Sequence, residues 1–224
     1  MALLSNPNFG EQEALVLLNR RSLPSSVVED LASRRQLRDS YAIKLALAKH
    51  PRTPPRIALE VLKFLYVFDL VSVCLLPGLP SEIKNVSEQL ILAQVKKLAI
   101  GQRITLARRG PARVAAGLLS EGNSQVVTAA LENPYLTEHA LLQLLNRPEC
   151  PPRVVEALAL HAKWGRRYDL RVALLRQPTL TMARALRLLP GLKEADLREL
   201  CQDSSVTPEL RRYVSNLVHG SKAL

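Results

Sequence analysis

The side chains with the most obvious chemistry in this sequence are cations. Residues 96–113, KKLAIGQRITLARRGPAR, hold Lys96, Lys97, Arg103, Arg108, Arg109 and Arg113 with no acid among them. Residues 163–178, KWGRRYDLRVALLRQP, hold Lys163, Arg166, Arg167, Arg171 and Arg176 against Asp169 alone. A third set comprises Arg34, Arg35, Arg38, Lys44 and Lys49. A row of such groups neutralises phosphates and releases their counterions, which suits a nucleic-acid backbone. The formal net charge of +11 and the pI of about 10.0 favour an anionic partner of some kind: nucleic acid, an acidic protein or an anionic membrane surface. The competing use is structural. An Arg between packed helices bonds acids and carbonyls of its neighbour, and a cation near a helix C-terminus offsets the dipole.

Catalytic and metal chemistry find less support. His50, His139, His161 and His219 are scattered without metal-ligand spacing. Cys74, Cys150 and Cys201 form no Cys-x-x-Cys, and their odd number predicts free thiols in a reducing, cytoplasmic compartment. No Gly-rich phosphate loop, Ser-His-Asp order or Cys-His pairing is present. The expectation is a non-enzymatic protein with no catalytic, cofactor-binding or metal-ligating residues. Trp164, the single Trp, lies beside cations and suits either base stacking or packing inside a repeat. Tyr41 and Tyr168 read as core residues with the hydroxyl at a repeat seam.

These residues must be carried by helices. Leu, Ala and Val abound, aromatics are 4%, and the 15 Pro punctuate apolar runs of helical period. In SQVVTAALEN the positions 126, 127, 130 and 131 share one face, and Asn133 before Pro134 stops the helix. Thr137 can cap the next helix, with Glu138 in its first turn and Leu141, Leu142, Leu144 and Leu145 on its buried side. Pro151 or Pro152 opens another helix, and a further one ends at Pro178. The most apolar run, 61–80, is interrupted by Lys63 and Asp69 and is too short to span a bilayer. The opening MALLSNPNFG lacks the features of a secretory signal.

The chain also repeats itself. Shifted by 127 residues without gaps, 4–74 and 131–201 share 26 identities in 71 positions, where chance gives about a tenth at most. The matches include Asn6/Asn133, Pro7/Pro134, Glu11/Glu138, Tyr41/Tyr168 and Cys74/Cys201. Lys44 aligns with Arg171 and Lys49 with Arg176, so cations recur in register. Within each copy a shorter period, near 43, is marked by Pro7, Pro51, Pro134 and Pro178. Short helices that cannot bury their faces alone must stack. The predicted fold is all-α, a right-handed superhelix internally duplicated at a 127-residue offset. It is read as a single domain over 1–224, with copy one about 1–127 and a truncated copy two about 128–224. The copies diverge at 61–76 against 188–203, where Phe64, Val67 and Val71 face Gly191, Glu194 and Arg198. Those three are either a helix packed on both sides or a hydrophobic partner patch.

The strings SEGNSQVVTAALENPYLTEHALLQLL, YAIKLALAKHPRTPPRIALEVL and YDLRVALLRQPTLTMARALRLL resemble the leucine-rich repeat variant, a HEAT-like helical repeat. The resemblance implies an armadillo-like α-solenoid with a binding or scaffold role, and it identifies architecture rather than activity. Some members carry a Cys-rich iron–sulfur segment; this chain has no such cluster, so no cofactor is carried over. The leading expectation is a protein partner, possibly acidic. Nucleic acid bound without sequence specificity comes second. A HEAT-like DNA glycosylase, using Trp164 and Asp169, comes third.

Overall fold

The computed structural model describes residues 9–220, and among them every regular element is helical. The chain divides into two compact units, Met1–Leu98 and Ala99–Leu224. The division falls ahead of the point, near residue 127, at which the second sequence copy begins.

The first unit contains α1 (Glu11–Leu18), α2 (Ser25–Ser33), the single turn α3 (Arg35–Arg38), α4 (Tyr41–Lys49), α5 (Pro55–Leu62), α6 (Val67–Leu75) and α7 (Ser81–Gln94). The second contains α8 (Ile100–Arg109), α9 (Ala112–Leu119), α10 (Ser124–Leu131), α11 (Glu138–Leu145), α12 (Pro152–Leu160), α13 (Tyr168–Leu175), α14 (Met182–Leu188), α15 (Glu194–Gln202) and α16 (Pro208–Gly220). The main packing partners in each unit stand one to three positions apart in this order: α1 with α4 and α6 with α7, then α8 with α10, α11 with α13 and α15 with α16.

Local chemistry sets the boundaries as expected. Thr137 caps α11, its hydroxyl accepting from Ala140 N–H at 3.3 Å. Asn123 and Ser40 cap α10 and α4 in the same way. Pro55 and Pro152 occupy the first positions of α5 and α12, where a missing N–H costs nothing. The faces are as the period requires: Val126, Val127, Ala130 and Leu131 are buried, as are Leu141, Leu144 and Leu145. Leu142 is half-buried.

Six helices of the first unit start at positions that recur 127 residues later. The pairs are α1/α11, α2/α12, α4/α13, α5/α14, α6/α15 and α7/α16. The last pair lies where the identities have faded, so the helical register persists after the residues have changed.

The X-Pro breaks do more than end helices. Asn133 is buried, and its amide donates to the Ala107 and Gly110 carbonyls at 2.7 and 2.9 Å, while its carbonyl accepts from Tyr135 N–H at 2.8 Å. His50 and Gln177 stand before Pro51 and Pro178 and act alike. His50 Nε2 donates to Arg20 O at 3.1 Å while its Nδ1 accepts from Arg52 N–H, and Gln177 donates to Leu145 O at 2.8 Å. Each pre-proline side chain thus meets a carbonyl at or just past the end of an earlier helix, a group that has no partner inside its own helix. Asn6 and Pro7 lie outside the described residues.

Candidate partner-binding surface

The turn between α5 and α6 carries the most exposed aromatic surface of the first unit. Phe64, Tyr66 and Phe68 are 58%, 70% and 42% exposed. The chain has nine aromatic residues, so a third of them fall within these five positions. Val67 and Val71, expected with Phe64 in one patch, are buried at 7% and 8%. The reason is the helix itself. The first turn of α6 starts at Val67, and Val67, Leu70, Val71, Val73 and Cys74 face its neighbours. The side chains left outside are Phe68 and Leu75 on the helix and Phe64 and Tyr66 before it. The helix thus has a packed interior that includes Val67 and Val71, and the exposed aromatics lie at Phe64, Tyr66 and Phe68.

Tyr41 anchors that edge from behind. Its ring lies 4.7 Å from that of Tyr66, centroid to centroid. Its hydroxyl donates to the Asp69 carboxylate and accepts from Tyr66 N–H at 3.0 Å. Tyr168 does the same in the second unit, donating to Asp196 and accepting from Lys193 N–H at 2.9 Å. Both rings are half-buried rather than in the core, but the hydroxyl does join two helices. Burial, and then the hydrogen bond to Asp69, raise the Tyr41 pKa; for Tyr168 the bond to Asp196 is the larger cause and burial the smaller.

Beside the edge lies a groove of about 280 Å³ bounded by the ends of α2 and α3 and by α4 and α5. Leu37, Ile43 and Leu47 form its buried floor. Lys44 stands at its mouth with its ammonium 4.8 Å from the Phe64 ring centroid.

The cations separate into two groups. Arg38 pairs with Glu60, Arg103 with Glu121, Arg108 with Glu132 and Arg167 with Glu138. Arg176 pairs with Glu199 and Asp203 at 3.0 and 3.2 Å. Arg171 donates to the carbonyls of Leu188 and Pro190, which closes the end of α14. Arg34 lies over Phe9 and Lys163 over Trp164. With Lys44, nine of the sixteen basic residues singled out above are engaged by acids, carbonyls or rings. Arg35, Lys96, Lys97, Arg109, Arg113 and Arg166 are exposed and Lys49 half-exposed, with no acid or ring against them among the described residues. Lys96 and Lys97 belong to the first unit and Arg103 onward to the second.

The remaining candidates are structural in their surroundings. Trp164 is 2% exposed and its indole N–H donates to Leu131 O at 2.9 Å, closing the end of α10; the ring offers no face to a base. Burial pushes the Cys74 thiol to about 12 and the Cys150 thiol to about 11, so neither supplies a thiolate near neutrality. Burial lowers the pKa of His161, whose Nδ1 accepts from the Lys163 and Trp164 N–H groups. No group of three His, Cys, Asp or Glu side chains among the described residues is placed to hold a metal ion. No helix among them is long and apolar enough to cross a membrane.

The groove and the exposed aromatics were not visible as a unit in the sequence. The signal available was the divergence of the copies, Phe64 against Gly191, Tyr66 against Lys193 and Phe68 against Ala195. Comparison of the chain with family models, with curated proteins and with solved structures finds no match in any of the three.

Proposed function

We propose that the chain is a non-enzymatic protein-binding module of tandem HEAT-like helical repeats, duplicated at a 127-residue offset. The Phe64–Phe68 edge of its first unit is the partner face. The observation that carries this reading is the concentration of exposed aromatic surface at one turn of a chain otherwise poor in aromatics. Large rings that shed little entropy on ordering are what binding hot spots are made of, and an apolar patch left in water favours being covered. The repeat architecture is supported by the coincident helix starts, the packing between near neighbours and the two matching Tyr–Asp bonds. The reduced supply of free cations weighs against a continuous phosphate-tracking stripe.

The test is site-specific photo-crosslinking in the cell of origin, with a crosslinking residue at Tyr66 and, as control, at Arg153. A protein captured from Tyr66 only, and lost with Phe64→Ser/Phe68→Ser, supports the reading. No capture, or equal capture from both positions, sinks it.

Nucleic acid is the second reading, favoured by Arg109 and Arg113, which stand exposed on α8 and α9 with no acid against them among the described residues. Binding of labelled single strands or duplex that weakens with salt and with Arg109→Ala/Arg113→Ala would establish it.

A further inference from the structure

The groove beside the aromatic edge has the features of an anchor pocket. Its volume, about 280 Å³, sits just below the range of roughly 300–1,000 Å³ found for small-molecule sites and suits one large side chain. Its floor, Leu37, Ile43 and Leu47, is continuous with the hydrophobic core of the first unit, so the contact surface is preformed. Of the twelve lining residues only Ala32 and Leu47 recur 127 residues on. The rest of the lining is therefore not accounted for by what the two copies share in order to fold.

The charge at the mouth specifies the occupant further. Arg38 and Glu60, 3.4 Å apart, neutralise one another. Lys44 has no acid against it among the described residues, only the face of Phe64. The difference from its counterpart is instructive. Arg171 spends its donors on the carbonyls of Leu188 and Pro190, whereas no hydrogen-bond acceptor lies against the Lys44 ammonium among the described residues. An ammonium has three donors and takes a carboxylate readily where water is partly excluded. Asp39, the other acid on the lining, repels a carboxylate from its own side and so directs it toward Lys44.

We infer that this groove is the anchor site for an acidic partner segment, seating one large apolar side chain on Leu37, Ile43 and Leu47 and a neighbouring carboxylate on Lys44. The inference rests on the protein-binding reading above and names the partner's chemistry. The net charge of +11 steers such a segment to the surface, and the groove fixes it.

The test is selection of a random dodecapeptide library displayed on phage against the full chain, followed by titration of the enriched peptides. The variants are Ser33→Trp, which places a bulky ring on the exposed lining, Lys44→Glu, and Phe68→Ser on the edge outside the groove. Enriched peptides should place Asp or Glu beside Leu, Phe or Trp. Their affinity should fall about tenfold or more on both Ser33→Trp and Lys44→Glu. Thermal melts confirm folding, and Lys44→Glu, a change at a half-exposed position, keeps the test decisive should Ser33→Trp fail to fold. No enrichment, enrichment of peptides without acids, or affinity kept on both groove variants overturns the inference. Loss on Phe68→Ser with affinity kept on the groove variants overturns the groove and leaves the edge standing.

Discussion

Tyr168 and Asp196 make the same hydroxyl–carboxylate bond, 28 residues apart, that Tyr41 and Asp69 make in the first unit. In both cases the Asp occupies the third position of a helix, α15 or α6, and the Tyr reaches in from α13 or α4. An ordinary capping box has that third-position carboxylate accept the N–H of the residue before the helix. Here the phenol is inserted between them. It accepts the N–H of Lys193 or Tyr66 and donates its own hydrogen bond to the acid. One hydroxyl thus serves a helix start and ties a second helix to it.

Removing the hydroxyl should therefore cost stability in both units. Tyr41→Phe leaves Tyr66 N–H and Asp69 without their partner, a loss of about 1 kcal/mol given the half-exposed setting. Tyr168→Phe acts in the same direction. Urea denaturation of the single variants, with Asp69→Asn completing a double-mutant cycle, measures the coupling. Additive effects of Tyr41→Phe and Asp69→Asn would contradict the linkage.

The same bonds set a response to alkali. Both phenols have pKa values raised above the usual 10.0 in the folded chain. A raised acid holds its proton longer when folded than when unfolded. Its stabilisation is complete below pH 10.0 and is lost as pH rises through the higher folded value. Wild-type stability should fall above that pH more steeply than that of Tyr41→Phe/Tyr168→Phe. Denaturant midpoints measured between pH 8 and 11 give the comparison, and parallel curves would refute it.

The buried Asn133 is a stronger structural element than its Asn-Pro context suggested. Asn133→Ala strands two buried carbonyls and leaves the part-buried Tyr135 N–H without its partner, and about 2 kcal/mol should be lost. The neighbouring Gly110 cannot compensate. A Cβ there would lie 2.5 Å from the Leu106 carbonyl oxygen, so Gly110→Ala should destabilise too. Equilibrium denaturation of both variants tests this. A shift for Asn133→Ala no larger than that for Gln177→Ala, whose site is half-buried, would show that burial is not the cause.

What could be read from the sequence was whatever depends on neighbours along the chain. Thr137 as a cap, Pro152 as a helix opener and the faces of α10 and α11 follow from spacing alone. Residues that act across the fold were less legible. The Asn133 side chain is aimed at Ala107 and Gly110, which only packing brings near. In the apolar run 61–76 large apolar residues also fill the outward positions, Phe64, Tyr66, Phe68 and Leu75, so composition does not separate inside from outside. Phe64, Val67 and Val71 therefore read as one patch, although burial separates them. Arg171 and Arg176 allowed two uses, and only the positions of Leu188, Pro190, Glu199 and Asp203 show which one each side chain adopts.

Arg171 distinguishes those two uses directly. If its role is to close the end of α14, Arg171→Ala should lower stability by about 1 kcal/mol. Arg171→Lys should recover little of that, because an ammonium lacks the planar fork that spans two carbonyls. Were the residue a polyanion contact, the lysine would conserve its charge and function, and the alanine would leave the melting temperature unchanged. Thermal melts of both variants, beside salt-dependent titrations with labelled duplex, separate the cases. A melt shift in Arg171→Ala that Arg171→Lys does not reverse, with no change in nucleic-acid affinity, is the expected result. It follows from geometry already visible in the chain: the cation at this position is committed to the backbone of its own unit, while Lys44, the aligned cation, meets only the Phe64 ring among the described residues.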